Sequence, residues 1–237
     1  MIHLRLLAAL TIFMGLSACS PVRVLAPTPN IFTSGAYPQS EISQGYRTAE
    51  APVFFITDRN ATHQGGALSY GNERSSSMAF GASTVAFGKD QNWQTLSAAS
   101  GQRTRAKKLP LNIIENEEIL RFEPTPTQFR VVNGKPVKLP EAVVSYNRKR
   151  AAFQDEIREQ MRIAGKNEVI IFVHGFNNSF EDGVFSLSDI WHFSGRNGVP
   201  IAYSWPAGAG GLFGYFKDRE SGDVSYTHMT LPTKRIV

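Results

Sequence analysis

Two hydrophobic patterns divide the chain. From residue 52 to 139 the apolar runs are short and separated by turn residues, as in strands. Pro52–Thr57 is one such run and ends on Asp58-Arg59-Asn60. Ser83–Phe87, Ile119–Glu123 and Phe129–Val132 are further expected strands. Asn133-Gly134 then separates Phe129–Val132 from Lys135–Leu139, a short-range hairpin signal, and Pro136 confines the second strand to an edge. Between Thr62 and Ala106 small and polar residues predominate, and little else is predicted there.

From residue 147 onward the period changes. Phe153, Ile157 and Met161 recur every fourth position in a helix expected over Asn147–Ala164, with Gly165 to end it. Glu168–Val173 is a continuous apolar, β-branched run, predicted to be a strand buried on both faces. A second helix should follow, capped by Ser179, with Glu181 and Asp182 in its first turn. Phe180, Val184, Leu187 and Trp191 give it one apolar stripe, and Gly195 or Gly198 is placed to end it. Val199–Ser204 is the next strand, stopped by Trp205-Pro206. Strands and helices in alternation predict an α/β fold, a mostly parallel sheet with flanking helices and an antiparallel N-terminal part.

The 237 residues suffice for one domain with a proper core and some appendages, and 42% hydrophobic with 19% charged residues is ordinary globular composition. The net charge of +5 includes Arg5, Lys234 and Arg235, all in segments set apart below; without these three cations it is +2. That value argues against a nucleic-acid partner. The local cluster Arg103, Arg105, Lys107 and Lys108 reads as a solvated loop, and Arg148, Lys149 and Arg150 as the wet face of a helix.

Residues 1–18 have one arginine, the apolar run Leu6–Leu16 and small residues before a cut site, the layout of a secretory signal too short to span a membrane comfortably. Leu16-Ser17-Ala18-Cys19 resembles the lipobox of bacterial lipoproteins, which implies lipidation at Cys19, the only cysteine. Ser20 after it implies the outer membrane of a two-membrane host, with the protein facing the periplasm. Residues 19–50 are rich in Pro, Ser, Thr, Gln and Gly and are expected to form a flexible tether, leaving 51–223 as the folded domain.

The central strand stops on His174-Gly175-Phe176-Asn177. A glycine there permits a sharp turn that leaves bare main-chain N–H groups at the strand's carboxyl end. This stretch resembles the oxyanion-hole loop of α/β-hydrolases of the esterase/lipase superfamily. Thr57-Asp58-Arg59 with Phe80-Gly81 resembles the opening of an uncharacterised bacterial branch of it. The resemblance implies an α/β-hydrolase-like domain that takes ester or lipid-like acyl substrates. The amides of Phe176 and Asn177 would be donors, Gly175 would admit the substrate oxygen, and His174 would fix the loop. It implies no cofactor. Read without the resemblance, Asp58 and Arg59 pair and close a turn, and the His-Gly turn can be free of function.

No Gly-x-Ser-x-Gly elbow is present, so the chain is expected to stop short of nucleophile, acid and base. Ser204 is followed by Trp-Pro, Ser179 is explained as a cap, and His192 lies between Trp191 and Phe193 inside a helix. The histidines are too scattered to suggest a metal. Gly208–Gly214 has Phe213 where a dinucleotide fingerprint needs glycine, and reads as a loop over the site's mouth. Asp218-Arg219-Glu220 reads as a structural ion pair at the start of the next helix. Residues 224–237 show no helical period and resemble translated adapter read-through, a non-native tail. The expected function is therefore the N-terminal portion of a lipid-anchored serine hydrolase, inactive by itself. The rival is a non-catalytic surface lipoprotein that uses the fold for binding.

Overall fold

The computed structural model describes residues 22–208 and 210–233, leaving the signal segment and Cys19 outside the described residues. Strands β1 (Glu50–Gln64) and β2 (Ala67–Phe87) form a long antiparallel hairpin, and β3 (Leu111–Arg121) pairs antiparallel with β2. On the other side of β1 lie β7 (Val199–Ser204) and then β6 (Val169–Val173), both parallel to their neighbours. The sheet order is β3-β2-β1-β7-β6. The expected α/β class, with an antiparallel part ahead of a parallel part, is what the chain forms. A separate exposed hairpin joins β4 (Phe129–Val132) to β5 (Lys135–Lys138). Asn133 and Gly134 take φ of 51° and 75° in its turn, as Asn-Gly hairpins require.

Helix α1 (Asn30–Thr33) is a single turn, and α2 (Trp93–Ser100) follows β2. Helices α3 (Pro140–Ala164) and α4 (Phe180–Phe193) cover opposite faces of the sheet. Adjacent residues of β1 show this directly: Phe54 packs with Phe80, Ile157 and Ile201 beneath α3, whereas Phe55 packs with Phe180 and Leu187 of α4. This is the two-residue alternation of a strand read against two helices. The helical stripes predicted from sequence are these two contacts: Phe180, Val184, Leu187 and Trp191 are fully buried, and Phe153 and Met161 pack beside Ile157. Gly165 ends α3 in the left-handed region at φ 65°. Gly81 is where α4-side packing leaves no room for a side chain, since a Cβ there would lie 2.1 Å from the Glu117 carbonyl and 2.3 Å from the Phe55 ring.

Four expectations change. First, β6 is an edge strand paired only with β7, and Ile171 and Val173 are 61% and 47% exposed. The strand buried on both faces is β7, all six of whose residues are buried. An apolar run reports that a strand packs against something, not how many neighbours it has. Second, the segment expected to be a tether is packed from Leu25 onward: Leu25, Phe32, Ile42 and Tyr46 are buried in the main core, and Leu25 N–H donates to the Leu109 carbonyl at 2.8 Å. Its apolar residues have no period because they fill separate holes. Third, Arg105 is not a solvated cation, since it donates to the carbonyls of Leu25 and Ala26 and sits over the Phe193 ring. Fourth, helix α5 (Gly211–Thr233) continues through 224–233 without an apolar period. It docks through polar contacts instead: Ser225 is buried, its hydroxyl donates to Asp58 at 3.0 Å, and its carbonyl accepts from the Tyr203 hydroxyl at 3.0 Å.

Candidate functional site

The carboxyl ends of β6 and β7 lie at one edge of the sheet, beside the middle of β1, where Thr57 pairs with Ser204. Strand β1 reaches this edge through two register shifts, between Thr57 and Arg59 and between Arg59 and Ala61. Bulges of this kind bend a strand and re-aim a side chain. Here the result is that Arg59 turns inward and is completely buried.

Arg59 does not pair with Asp58. Its Nε donates to Ser204 Oγ at 2.9 Å; its Nη1 to the carbonyls of Gly71 and Ala207 and to Asn72 Oδ1 at 3.0, 3.1 and 3.1 Å. Its Nη2 reaches the Asn178 carbonyl at 2.7 Å and His174 Nε2 at 3.3 Å. Every edge of the planar fork is used, which is what lets a buried cation survive without a contacting carboxylate. Burial lowers its pKa to about 10, against the pull of Glu181, Asp58, Asp218 and Asp182. Asp58 instead pairs with Arg74 and accepts from Ser225, tying the hairpin to α5.

His174 is buried and accepts at Nε2, where Arg59 Nη2 and, at 3.2 Å, Ser204 Oγ converge. Its Nδ1 therefore carries the proton and donates to the Gly175 carbonyl at 2.8 Å. The ring stacks on Trp205 at 5.2 Å, and Trp205 Nε1 donates to the His174 carbonyl at 2.8 Å. Burial, before the nearby Arg59 charge, pushes the imidazole pKa down. Gly183 in the first turns of α4 makes room for the ring, since a Cβ there would lie 3.2 Å from His174 Cδ2. The histidine is thus a neutral pin for its own loop.

The pinned loop leaves Gly175, Phe176 and Asn177 exposed. Asn177 takes φ of 56°, and Ser179 begins α4 with a reciprocal capping box to Asp182. Among the described residues the Phe176 amide has no hydrogen-bond partner, while the Asn177 amide donates to Asp218 Oδ2 at 2.8 Å. The Gly208 amide donates to the same oxygen at 3.0 Å. Phe176, Asn177, Gly210, Gly214, Tyr215 and Asp218 line a cavity of about 120 Å³. Phe176 is 61% exposed and meets Tyr215 edge-on at 5.7 Å. A larger open groove of about 740 Å³ lies at the amino end of β1, lined by Arg47, Thr48 and Trp93 among others, and shares no residue with this loop.

Residues 149–234 match a family described as "Alpha/beta hydrolase of unknown function (DUF900)". The matched segment runs from within α3 to the last turns of α5, and so contains β6, the 174–177 loop, α4 and β7. The match supports an α/β-hydrolase family and agrees with the sheet order and flanking helices. No curated protein and no solved structure matches the chain.

Ser204 and His192 are not drawn into the mouth. Ser204 is fully buried between Arg59 and His174. His192 is buried at the other end of the fold, where it accepts at Nδ1 from Arg196 and contacts Ser100 Oγ through Nε2 at 2.7 Å. Burial and the Arg196 charge hold its pKa well below that of an ordinary histidine. Of the stretch expected to be a loop over the mouth, Gly210 and Gly214 line the cavity, and from Gly211 it is helix α5. Sequence reasoning named Arg59, Asp218 and Gly208 but gave them other roles: a turn-closing pair with Asp58, a structural ion pair and a loop over the mouth. The available signal was an arginine directly after an apolar strand, a place where a charge must either reach water or find buried acceptors.

Proposed function

We propose that this chain is the oxyanion-bearing portion of a serine hydrolase for ester or lipid-like acyl substrates. One observation carries the reading. A loop at the carboxyl end of β6 is pinned from below by a neutral histidine, and beside a small cavity it carries the Phe176 N–H, unpartnered among the described residues, and the Asn177 N–H, held by Asp218. In acyl transfer, negative charge grows on the carbonyl oxygen, and removing one fixed donor raises the barrier by roughly 2.7–4 kcal/mol. Gly175 lets that oxygen approach, Phe176 supplies its N–H, Asn177 can add its own only in exchange for its bond to Asp218, and His174 with Arg59 keeps the loop rigid. No Gly-x-Ser-x-Gly elbow occurs in the 237 residues, so what they contribute to this reading is the donor loop rather than the nucleophile. A lipid on Cys19 would hold the protein in the cell envelope, at the outer membrane and facing the periplasm, close to lipid-like esters.

The test is to express the gene from its own locus and treat the cells with a fluorophosphonate probe. A labelled serine in the product carrying this N-terminal sequence is expected, with none on the 237-residue chain. An unlabelled product of native length would sink the enzyme reading. Cys19→Ser should abolish incorporation of a fatty-acid analogue; unchanged incorporation would remove the lipid.

The engagement of the Asn177 amide by Asp218 favours a second reading, a non-catalytic lipoprotein that binds ligands with the same fold. It predicts no serine elbow downstream.

A further inference from the structure

Two amides from different loops point at one oxygen atom. Asn177 N–H comes from the loop after β6 and Gly208 N–H from the loop after β7, and they lie 2.8 and 3.0 Å from Asp218 Oδ2. A carboxylate oxygen held by converging main-chain donors is the arrangement by which proteins bind small anions.

The Gly208 donor is fixed independently of Asp218. The Ala207 carbonyl accepts from Arg59 Nη1 at 3.1 Å. In the planar trans unit 207–208 the N–H of Gly208 must then point away from Arg59, towards Asp218. Gly208 has φ of 89°, and a Cβ there would lie 3.1 Å from the Asn178 carbonyl, so only glycine suits the position. Asn178 is itself held by Arg59 through that carbonyl. Beside the oxygen is the cavity of about 120 Å³. At roughly 30 Å³ per water, it admits a group of a few atoms.

We propose that the amides of Asn177 and Gly208 form an anion-binding nest, that Asp218 is its resident internal carboxylate, and that a small carboxylate takes the same place when Asp218 withdraws. Such a carboxylate is the acid released by ester cleavage, an identification that rests on the acyl-hydrolase reading; the nest does not. In this arrangement Gly208, from the loop after β7, is the second donor, and Asp218 keeps the nest closed.

Acetate is the probe. In Asp218→Ala, titration with sodium acetate against sodium chloride at constant ionic strength should shift the Asn177 and Gly208 amide resonances saturably and raise Tm. In the unaltered protein the same shifts should appear only at higher acetate, because Asp218 competes for the nest; none at any concentration would confine acetate to the variant and overturn the exchange. A folded Asp218→Ala protein whose two amides ignore acetate would overturn the proposal. Asp218→Asn keeps the shape and removes the charge, so it guards against misfolding of the alanine variant. There the same two amides should exchange with solvent about tenfold faster, equivalent to about 1.4 kcal/mol, and unchanged exchange would also overturn it. Acetate binding without fluorophosphonate labelling of the native-length product would remove the hydrolase and keep the nest. The reverse result would do the opposite.

Discussion

Arg59 and Asp218 hold opposite ends of a single peptide bond: Arg59 Nη1 donates to the Ala207 carbonyl at 3.1 Å, and Asp218 Oδ2 accepts from the Gly208 N–H at 3.0 Å. The two side chains do not touch through this bond, yet each orients the peptide for the other. Cation, peptide and anion follow one another, and the series connects β1 and the loop after β7 to α5.

Replacing Arg59 should be severe. Arg59→Met would leave the buried carbonyl of Ala207 and the half-buried carbonyls of Gly71 and Asn178 without their donor. A loss of about 3–5 kcal/mol is expected, read as a lower urea midpoint. Arg59→Lys should recover only part of it, because an ammonium cannot span the same fork of acceptors. A lysine variant as stable as the original would contradict this account.

The two buried histidines should be opposite tautomers. His174 accepts at Nε2 and donates from Nδ1, whereas His192 accepts from Arg196 at Nδ1 and donates from Nε2. Long-range ¹H–¹⁵N spectra near neutral pH distinguish the two forms. Identical tautomers would show that one of these networks is misassigned.

Stability should fall with acid. Burial depresses the pKa of both His174 and His192 below the ordinary value of 6.5. The unfolded chain therefore binds protons that the folded chain refuses, so the stability from these groups is complete above pH 6.5 and declines as pH falls towards the folded values. Urea unfolding at pH 7.5, 6 and 5 should give progressively lower midpoints. A midpoint that rises over that interval would reverse the sign.

Gly81→Ala places a methyl within 2.1 Å of the Glu117 carbonyl and 2.3 Å of the Phe55 ring. Neither can move freely, since one is ladder backbone and the other lies in the core. Overpacking of this kind costs about 1–3 kcal/mol, and the upper end is expected from thermal unfolding. Gly134→Ala, in an open hairpin turn at φ 75°, should cost only the left-handed penalty of about 1–2 kcal/mol.

Ser179→Ala removes the hydroxyl that accepts from the Asp182 amide at 3.1 Å. A loss of about 1 kcal/mol is expected. Because Ser179 follows Asn178 directly, the variant should also speed amide exchange in the 174–178 loop. Exchange confined to α4 would separate the cap from the site.

Local chemistry was legible along the chain. The Asn133-Gly134 turn, the Ser179 cap, the α3 and α4 stripes and the extent of β7 follow from periods and turn residues that act within a few positions. The His174–Asn177 loop was legible as a turn after an apolar strand for the same reason. What only the tertiary structure decided is which groups meet from distant positions. Strand order put β7 inside the sheet and β6 at its edge, although both read as apolar runs. A bulge turned Arg59 away from its neighbour Asp58 and onto β2 and the loops after β6 and β7, and α5 brought Asp218 to an amide 41 residues earlier. A sequence specifies which residues need partners, because burial without them is costly, but the partner itself is selected by how strands and helices are layered in space.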